Sequence, residues 1–204
     1  MRIVTKTASV DALKCTGCQT CVRVCPVVAV RMERSAERRI AHIDEMECVA
    51  CGICINRCAE HALSFKDRET PLRIETRFDE TISEEIKAIC TKAHMYPEQV
   101  ICYCHRIQAG KLVAAILAGG DTPEKLARMT GVRTGCGVLC ITGVLRLLKA
   151  AGVELTKAPG YQWYGKMITI WDIPEAVIEK YGKQYYILED RESMDQVFPG
   201  GAEE

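Results

Sequence analysis

Alternation comes first along this chain and helical spacing later. The runs "VVAVRM" (27–32) and "RRIAHID" (38–44) alternate apolar and polar residues around a charged stretch near Arg34 to Arg38. Short alternating runs about a polar turn predict the two strands of a hairpin. "PLRIETRFDET" (71–81) is charged and opens on proline, which predicts a connection. In "TISEEIKAICTKAHM" the apolar residues Ile82, Ile86, Ile89, Cys90 and Ala93 fall on one helical stripe. Thr81 or Ser83 can cap that helix, with Glu84 and Glu85 in its first turn.

Helical spacing continues beyond it. "IQAGKLVAAILAGG" places Leu112, Val113, Ile116 and Leu117 on one face and stops at Gly119 and Gly120. "DTPEKLARMTG" offers Thr122 as cap, Pro123 at the first helical position and Gly131 as the stop. "GVLCITGVLRLLKAAG" puts Val138, Ile141, Val144, Leu145 and Leu148 on one face. Cys136 then falls at a helix N-terminus, where backbone N–H groups stabilise thiolate charge. In the last fifty residues "KMITIW" predicts a strand, "PEAVIEKYG" a short helix and "QYYILE" a second strand. This tail holds eight of the twelve aromatic residues and little aliphatic content, so it makes a poor independent core. Aromatic enrichment is typical of interface cores, which points to a surface lying along a partner.

A chain of 204 residues suits one or two domains, and thirteen cysteines decide how they are stapled. A secreted disulfide scaffold is disfavoured: the start "MRIVTKTASV" lacks a signal-peptide apolar stretch, and the cysteine count is odd. No apolar run of membrane-spanning length exists. A cytoplasmic chain with metal-ligating thiols is expected. Lys plus Arg equals Asp plus Glu at 27 each, without the basic excess usual in nucleic-acid binders.

"CTGCQTCVRVCP" (15–26) and "CVACGICINRCA" (48–59) both read C-x2-C-x2-C-x3-C. Three cysteines so spaced can face one cubic cluster, and the fourth lies too far along to close the same cube, so it reaches the other. Cys15, Cys18, Cys21 and Cys58 are therefore expected on one [4Fe–4S] cluster, and Cys48, Cys51, Cys54 and Cys25 on a second. Zinc prefers pairs of C-x-x-C over such quartets. Val22, Val24, Val27, Val28, Val49, Ile53 and Ile55 supply an apolar jacket. The region resembles the bacterial two-cluster ferredoxins over about residues 1 to 66. That resemblance implies two short hairpins and two small helices around the clusters. It departs from the family at Ala59, where the second motif usually has proline, and in a slightly long connection from Cys25 to Cys48.

"CYC" (102–104) and, after a 31-residue gap, "CGVLC" (136–140) give two close thiol pairs far apart in sequence. Cys102, Cys104, Cys136 and Cys140 suit a [2Fe–2S] rhomb, each pair on one iron. His105 next to the first pair is a conceivable Rieske-like ligand, but four thiolates are present without it. Cys90 is expected as a buried small hydrophobe. Cys90 and His94 alone would be two ligands short of a metal site. With "RTGCG", this region is similar to bacterioferritin-associated ferredoxin, an all-helical [2Fe–2S] module also found fused to flavin-dependent dehydrogenases and nitrite reductases. The second pair is one residue wider here than in the best-known form. A DNA-binding reading of these short, neutral helices is the weaker one.

The expected organisation is α+β. A ferredoxin-like 2[4Fe–4S] domain spans 1–70, a linker and helix 71–96, an all-helical [2Fe–2S] domain 97–152, and an irregular aromatic-rich extension 153–204 for docking. No nucleophile–base constellation, phosphate loop or dinucleotide fingerprint is present. Thiolate-only ligation leaves no open iron position for substrate. An electron-transfer subunit without a catalytic site of its own follows. It would relay electrons for a larger flavin- or metal-containing oxidoreductase, in an anaerobic setting by analogy with the families. A free multi-cluster ferredoxin and an iron-release or redox-sensor protein are the alternatives.

Overall fold

The computed structural model describes residues 2–34, 38–74, 78–79, 81–154 and 168–198. The turn expected between Arg34 and Arg38 falls on 35–37, outside these residues, as does the whole of "APGYQWYGKM".

Residues 2 to 74 are closed by a long antiparallel pair, β1 (Arg2–Val10) with β4 (Leu63–Ile74). Between them lie α1 (Thr20–Val24), the hairpin β2 (Val30–Arg34) and β3 (Arg39–Ile43), and α2 (Ile53–Asn56). The β2–β3 hairpin follows the alternating pattern. The β1–β4 pair replaces the connection expected at "PLRIETRFDET", whose first four residues complete β4. Pairing runs Val4 to Leu72 and then Lys6 to Asp67, so Thr5 stands opposite residues 68–71. That bulge accommodates Pro71, which has no N–H for a ladder. It also frees Arg68, whose guanidinium donates to the carbonyls of Lys6 (3.0 Å), Glu45 (2.6 Å) and Cys48 (2.8 Å).

The helices carry the second core. α3 (Glu84–Lys92) starts at Ser83, whose hydroxyl accepts from the Ile86 N–H at 3.3 Å. α4 (Ala109–Leu117) follows a two-strand ladder, β5 (Val100–Cys102) with β6 (Ile107–Gln108). That ladder makes the module mixed, not all-helical. α5 (Pro123–Thr130) is capped by the Thr122 hydroxyl and ends at left-handed Gly131, as its sequence predicts. α6 (Ile141–Ala150) begins five residues after Cys136. Leu112, Leu126, Leu147, Leu148, Val113, Val132 and Val144 are fully buried between these helices. Each such side chain contributes about 1.5–3 kcal/mol. Leu117 and Val138, expected on the apolar faces, are exposed. Leu117 ends α4, and Val138 precedes α6 in a loop.

Strands are absent from the described part of the tail. A 3₁₀ turn (Ile170–Asp172) leads to α7 (Glu175–Tyr181) and α8 (Ile187–Val197). The predicted "QYYILE" strand is broken at left-handed Tyr186, and Glu189 and Asp190 enter the first turn of α8. The tail is therefore helical where described. Trp171 stacks on His94, with ring centroids 3.9 Å apart and planes 2° from parallel, and Arg146 lies over its ring. Asp172 pairs with Lys149. Burial opposes its ionisation, but hydrogen bonds from Lys149 and Thr169 outweigh that and hold its pKa at about 2.

His94 is held below its usual pKa of 6.5, first by burial and then by Arg146. Its neutral form is the one that stacks. The stabilisation is full above about pH 6.5 and declines as pH falls through that value, because the undocked imidazole takes up a proton more readily. Asp172 stays ionised through this range. Trp171 fluorescence in a Trp163→Phe background is expected to report loosening of the stack between pH 7 and 5.5. His94→Phe is expected to remove that pH dependence.

Among the described residues no helix is long and apolar enough to cross a membrane.

Candidate metal centres

The two cysteine loops of the first module share one backbone. An offset of 33 residues relates Cys15, Cys18, Cys21 and Cys25 to Cys48, Cys51, Cys54 and Cys58. At the same offset Gly17 matches Ala50, Gln19 matches Gly52, and Val28 matches His61, all with positive φ. Left-handed residues beside right-handed ones turn successive N–H groups into a concave nest, a backbone form that recurs at iron–sulfur sites. Non-glycine residues in this region cost of order 1 kcal/mol each and persist where the surroundings fix them. Gly17 and Gly52 take two of these left-handed positions without that cost. Their surroundings give a further cause: a Cβ at Gly17 would stand 2.6 Å from the Arg39 carbonyl oxygen, and one at Gly52 3.3 Å from the Phe65 ring.

Each loop opens on a cavity. The first, with about 380 Å³ of empty space partly open to solvent, is lined by Cys15, Cys18, Cys21 and Cys58. The second, with about 350 Å³, is lined by Cys48, Cys51, Cys54 and Cys25. Each cavity thus takes three thiols from one loop and the fourth from the other. The fourth cysteines are matched again: the Ala29 N–H donates to Cys25 Sγ at 3.2 Å and the Ala62 N–H to Cys58 Sγ at 3.4 Å. Of the expected jacket, Val22, Val27, Val49 and Ile53 are buried, while Val24, Val28 and Ile55 are half-buried.

Burial, followed by smaller contributions from neighbouring thiols, pushes Cys21 up to about 11 and Cys54 up to about 12. Cys25 reaches about 11 for the same first reason, against N–H donation from Val27 and Ala29. Exposed Cys18 moves the other way because the Thr20 hydroxyl hydrogen-bonds to it. Crowded, dry thiols that resist ionisation side by side suit a cationic iron core, which displaces their protons on binding. Among the described residues no three His, Cys, Asp or Glu side chains converge closely enough for a single metal ion. The thiols are spread around cavities, an arrangement fitting a multinuclear cluster better than tetrahedral zinc.

In the second module Cys102 ends β5 and is buried, and Cys104 lies exposed in the turn after it. Cys140 is buried as the N-cap of α6, and Cys136 is half-buried in the preceding loop. Cys136 was expected at the helix N-terminus; Cys140 occupies it instead. The expected electrostatics operate from the loop, where the backbone of Val138 and then Leu139 hydrogen-bonds to Cys136 and lowers its pKa. Cys104 and Cys136 are hydrogen-bonding neighbours, as are Cys102 and Cys140. Burial, then the charge of Cys102, pushes Cys140 up to about 12. So the thiols meet in two contacts, Cys104 with Cys136 and Cys102 with Cys140, each joining one sequence pair to the other.

The loop before Cys136 is held from α5. Buried Arg133 pairs with Glu124 at 3.0 Å, and the Thr134 hydroxyl donates to the Gly131 carbonyl at 2.6 Å. A Cβ at Gly135 would stand 2.5 Å from Cys104 Cβ and 3.0 Å from its Sγ. Gly135→Ala is therefore expected to displace Cys104 and abolish most [2Fe–2S] absorbance while the helical circular dichroism persists. His105 is exposed, with Nε2 3.5 Å from the Thr134 hydroxyl. Cys90 is fully buried in the core, where burial raises its pKa to about 11.

Sequence reasoning missed the arginines that fix these loops. Besides Arg68 over the Cys48 loop, Arg38 donates to the Ala12 carbonyl at 2.7 Å, just before Cys15. Nothing in the spacing of the charged residues marks these two.

Two family models match the chain: a 4Fe-4S dicluster domain over residues 14–71 and a BFD-like [2Fe-2S] binding domain over residues 100–150. No curated protein and no solved structure matches it.

Proposed function

We propose that this chain, with a 4Fe–4S dicluster domain followed by a BFD-like [2Fe–2S] binding domain, is the iron–sulfur subunit of a larger flavin-dependent oxidoreductase. The two domains imply electron transfer in general. The observation carrying the finer reading is the grouping of twelve cysteines into three sets of four. Cys15, Cys18, Cys21 and Cys58 would hold one [4Fe–4S] cluster, and Cys25, Cys48, Cys51 and Cys54 the other. Cys102, Cys104, Cys136 and Cys140 would hold the [2Fe–2S] cluster. When bound, such clusters supply one-electron redox chemistry, with potentials set by charge, hydrogen bonds to sulfur and exposure.

The chain's own contribution is to bind and shield. Val10 and Leu63 line the first thiol cavity and Val27, Ile43 and Val49 the second with apolar surface, and the Ala29 and Ala62 N–H groups direct positive dipoles at Cys25 and Cys58. Four thiolates per site fill the ligand positions, so substrate chemistry would belong to a partner. A flavin on that partner follows by analogy from the company the [2Fe–2S] module keeps.

Native mass spectrometry of the chain isolated anaerobically from its host tests this. We expect roughly ten irons and as many sulfides on a chain bound to a larger flavin-containing protein. The same clusters on a solitary monomer would overturn the subunit reading in favour of a diffusible carrier. The Trp171–His94 stack, which ties the tail to its own chain, favours that second reading.

A further inference from the structure

The two modules meet through Arg128, Arg2 and Ile53. Arg128 of α5 donates through Nη1 to the Glu47 carbonyl (3.1 Å) and carboxylate (2.9 Å), and through Nη2 to the Met46 carbonyl (2.8 Å). Arg2 donates to the Val49 carbonyl at 2.7 Å, while its Nη1 stands 3.7 Å from where a Cβ at Gly131 would be. Ile53 Cδ1 lies 3.5 Å from the corresponding point at Gly137. All three contacts fall on the segment from Met46 to Ile53, which carries Cys48 and Cys51 and abuts Cys54. On the other side Gly137 follows Cys136 directly.

From this seam we infer that the Cys25/Cys48/Cys51/Cys54 site is the middle of three, with the [2Fe–2S] site on one side and the Cys15/Cys18/Cys21/Cys58 site as the outer end. Arg2 and Arg128 are the positioning residues that hold this order, which rests on the cofactor reading above.

Exposure gives the same order independently. The outer sites each have an exposed cysteine, Cys18 at one end and Cys104 at the other. In the middle site Cys25, Cys48 and Cys54 are buried and Cys51 is half-buried. Exposed apolar residues lie at both ends, Leu13 beside the first loop and Tyr103, Val138 and Leu139 around the last, while Met46 and Phe65 are the exposed apolar residues near the middle site. A relay needs open ends where electrons enter and leave, and a closed middle where they pass within the chain.

The test is pulsed electron paramagnetic resonance on the full chain, isolated anaerobically and reduced, reading how fast the [2Fe–2S] spin relaxes. A [4Fe–4S] spin nearby speeds that relaxation, and the effect falls steeply with distance. Cys54→Ala, which strips the middle site, is expected to remove most of the enhancement. Cys21→Ala, which strips the outer site, is expected to leave most of it. Arg128→Ala keeps all twelve thiols and is expected to weaken the enhancement at unchanged iron content. Enhancement that survives Cys54→Ala and disappears with Cys21→Ala would overturn the order alone. So would unaltered relaxation in both Arg128→Ala and Cys54→Ala. A wild-type chain whose iron falls short of three clusters would overturn the cofactor reading and the order together.

Discussion

Cys25→Ser will damage the site built by Cys48, Cys51 and Cys54, and leave the site nearest to it in sequence intact. Cys25 lies four residues after Cys21, yet it lines the cavity of the other loop. The cavity of Cys15, Cys18 and Cys21 takes Cys58 as its fourth thiol. The short turn from α1 carries Cys25 away from its own triplet, and the Ala29 N–H fixes its sulfur there at 3.2 Å. A serine oxygen in a site otherwise made of sulfur is a harder, poorer ligand for an iron–sulfur cluster. Loss of up to four irons per chain is expected, with one [4Fe–4S] signal retained. Selective loss of the Cys15 site would contradict the crossed grouping. Quantitative iron analysis with electron paramagnetic resonance of the remaining cluster separates the two outcomes.

Iron removal will unfold the first module and spare the second. Within residues 2 to 74, Cys15, Cys21, Cys25, Cys48 and Cys54 are themselves part of the buried cluster of core residues. What remains is mostly valine and alanine, with Ile43, Ile53, Leu63, Leu72 and Ile74, around two cavities partly open to solvent. Structural metal sites contribute on the order of 10 kcal/mol, comparable to the whole stability of a small domain. The helical module instead packs four leucines without exposure between α4, α5 and α6, and of its four site thiols only Cys102 and Cys140 are buried with them. After anaerobic chelation, hydrogen exchange is expected to accelerate by orders of magnitude in β1, β2, β3 and β4. Amides of α4, α5 and α6 are expected to stay protected. Equal loss in both modules would show that the clusters support the whole chain.

How much of this was legible in the sequence depends on the range of each interaction. The α3 and α5 caps at Ser83, Thr122 and Gly131 are local, and their residues announce them. The thiol groups were legible because chelation demands short spacings. The β1–β4 pair was not. Arg2 to Val10 shows no clean alternation, Thr7 is buried, and each partner lies some sixty residues away. "PLRIETRFDET" reads as a connection, yet its Leu72, Arg73 and Ile74 pair with β1 beyond a bulge that turns Arg68 to the Cys48 loop. In the tail, aromatic and β-branched residues suggested strands. Left-handed Tyr186 and the helix-forming residues after it gave α8. The seam at Arg2 and Arg128 leaves no local trace, since it joins residues far apart along the chain.

If twelve cysteines hold two cubes and one rhomb, iron divides about four to one between the two kinds of cluster. Mössbauer spectroscopy of the chain produced with ⁵⁷Fe, kept anaerobic throughout, tests it most directly. Roughly four fifths of the iron should carry the averaged-valence signature of [4Fe–4S] clusters and one fifth that of a [2Fe–2S] cluster. A single class of iron, or a chain saturated with zinc in place of iron, would contradict the account.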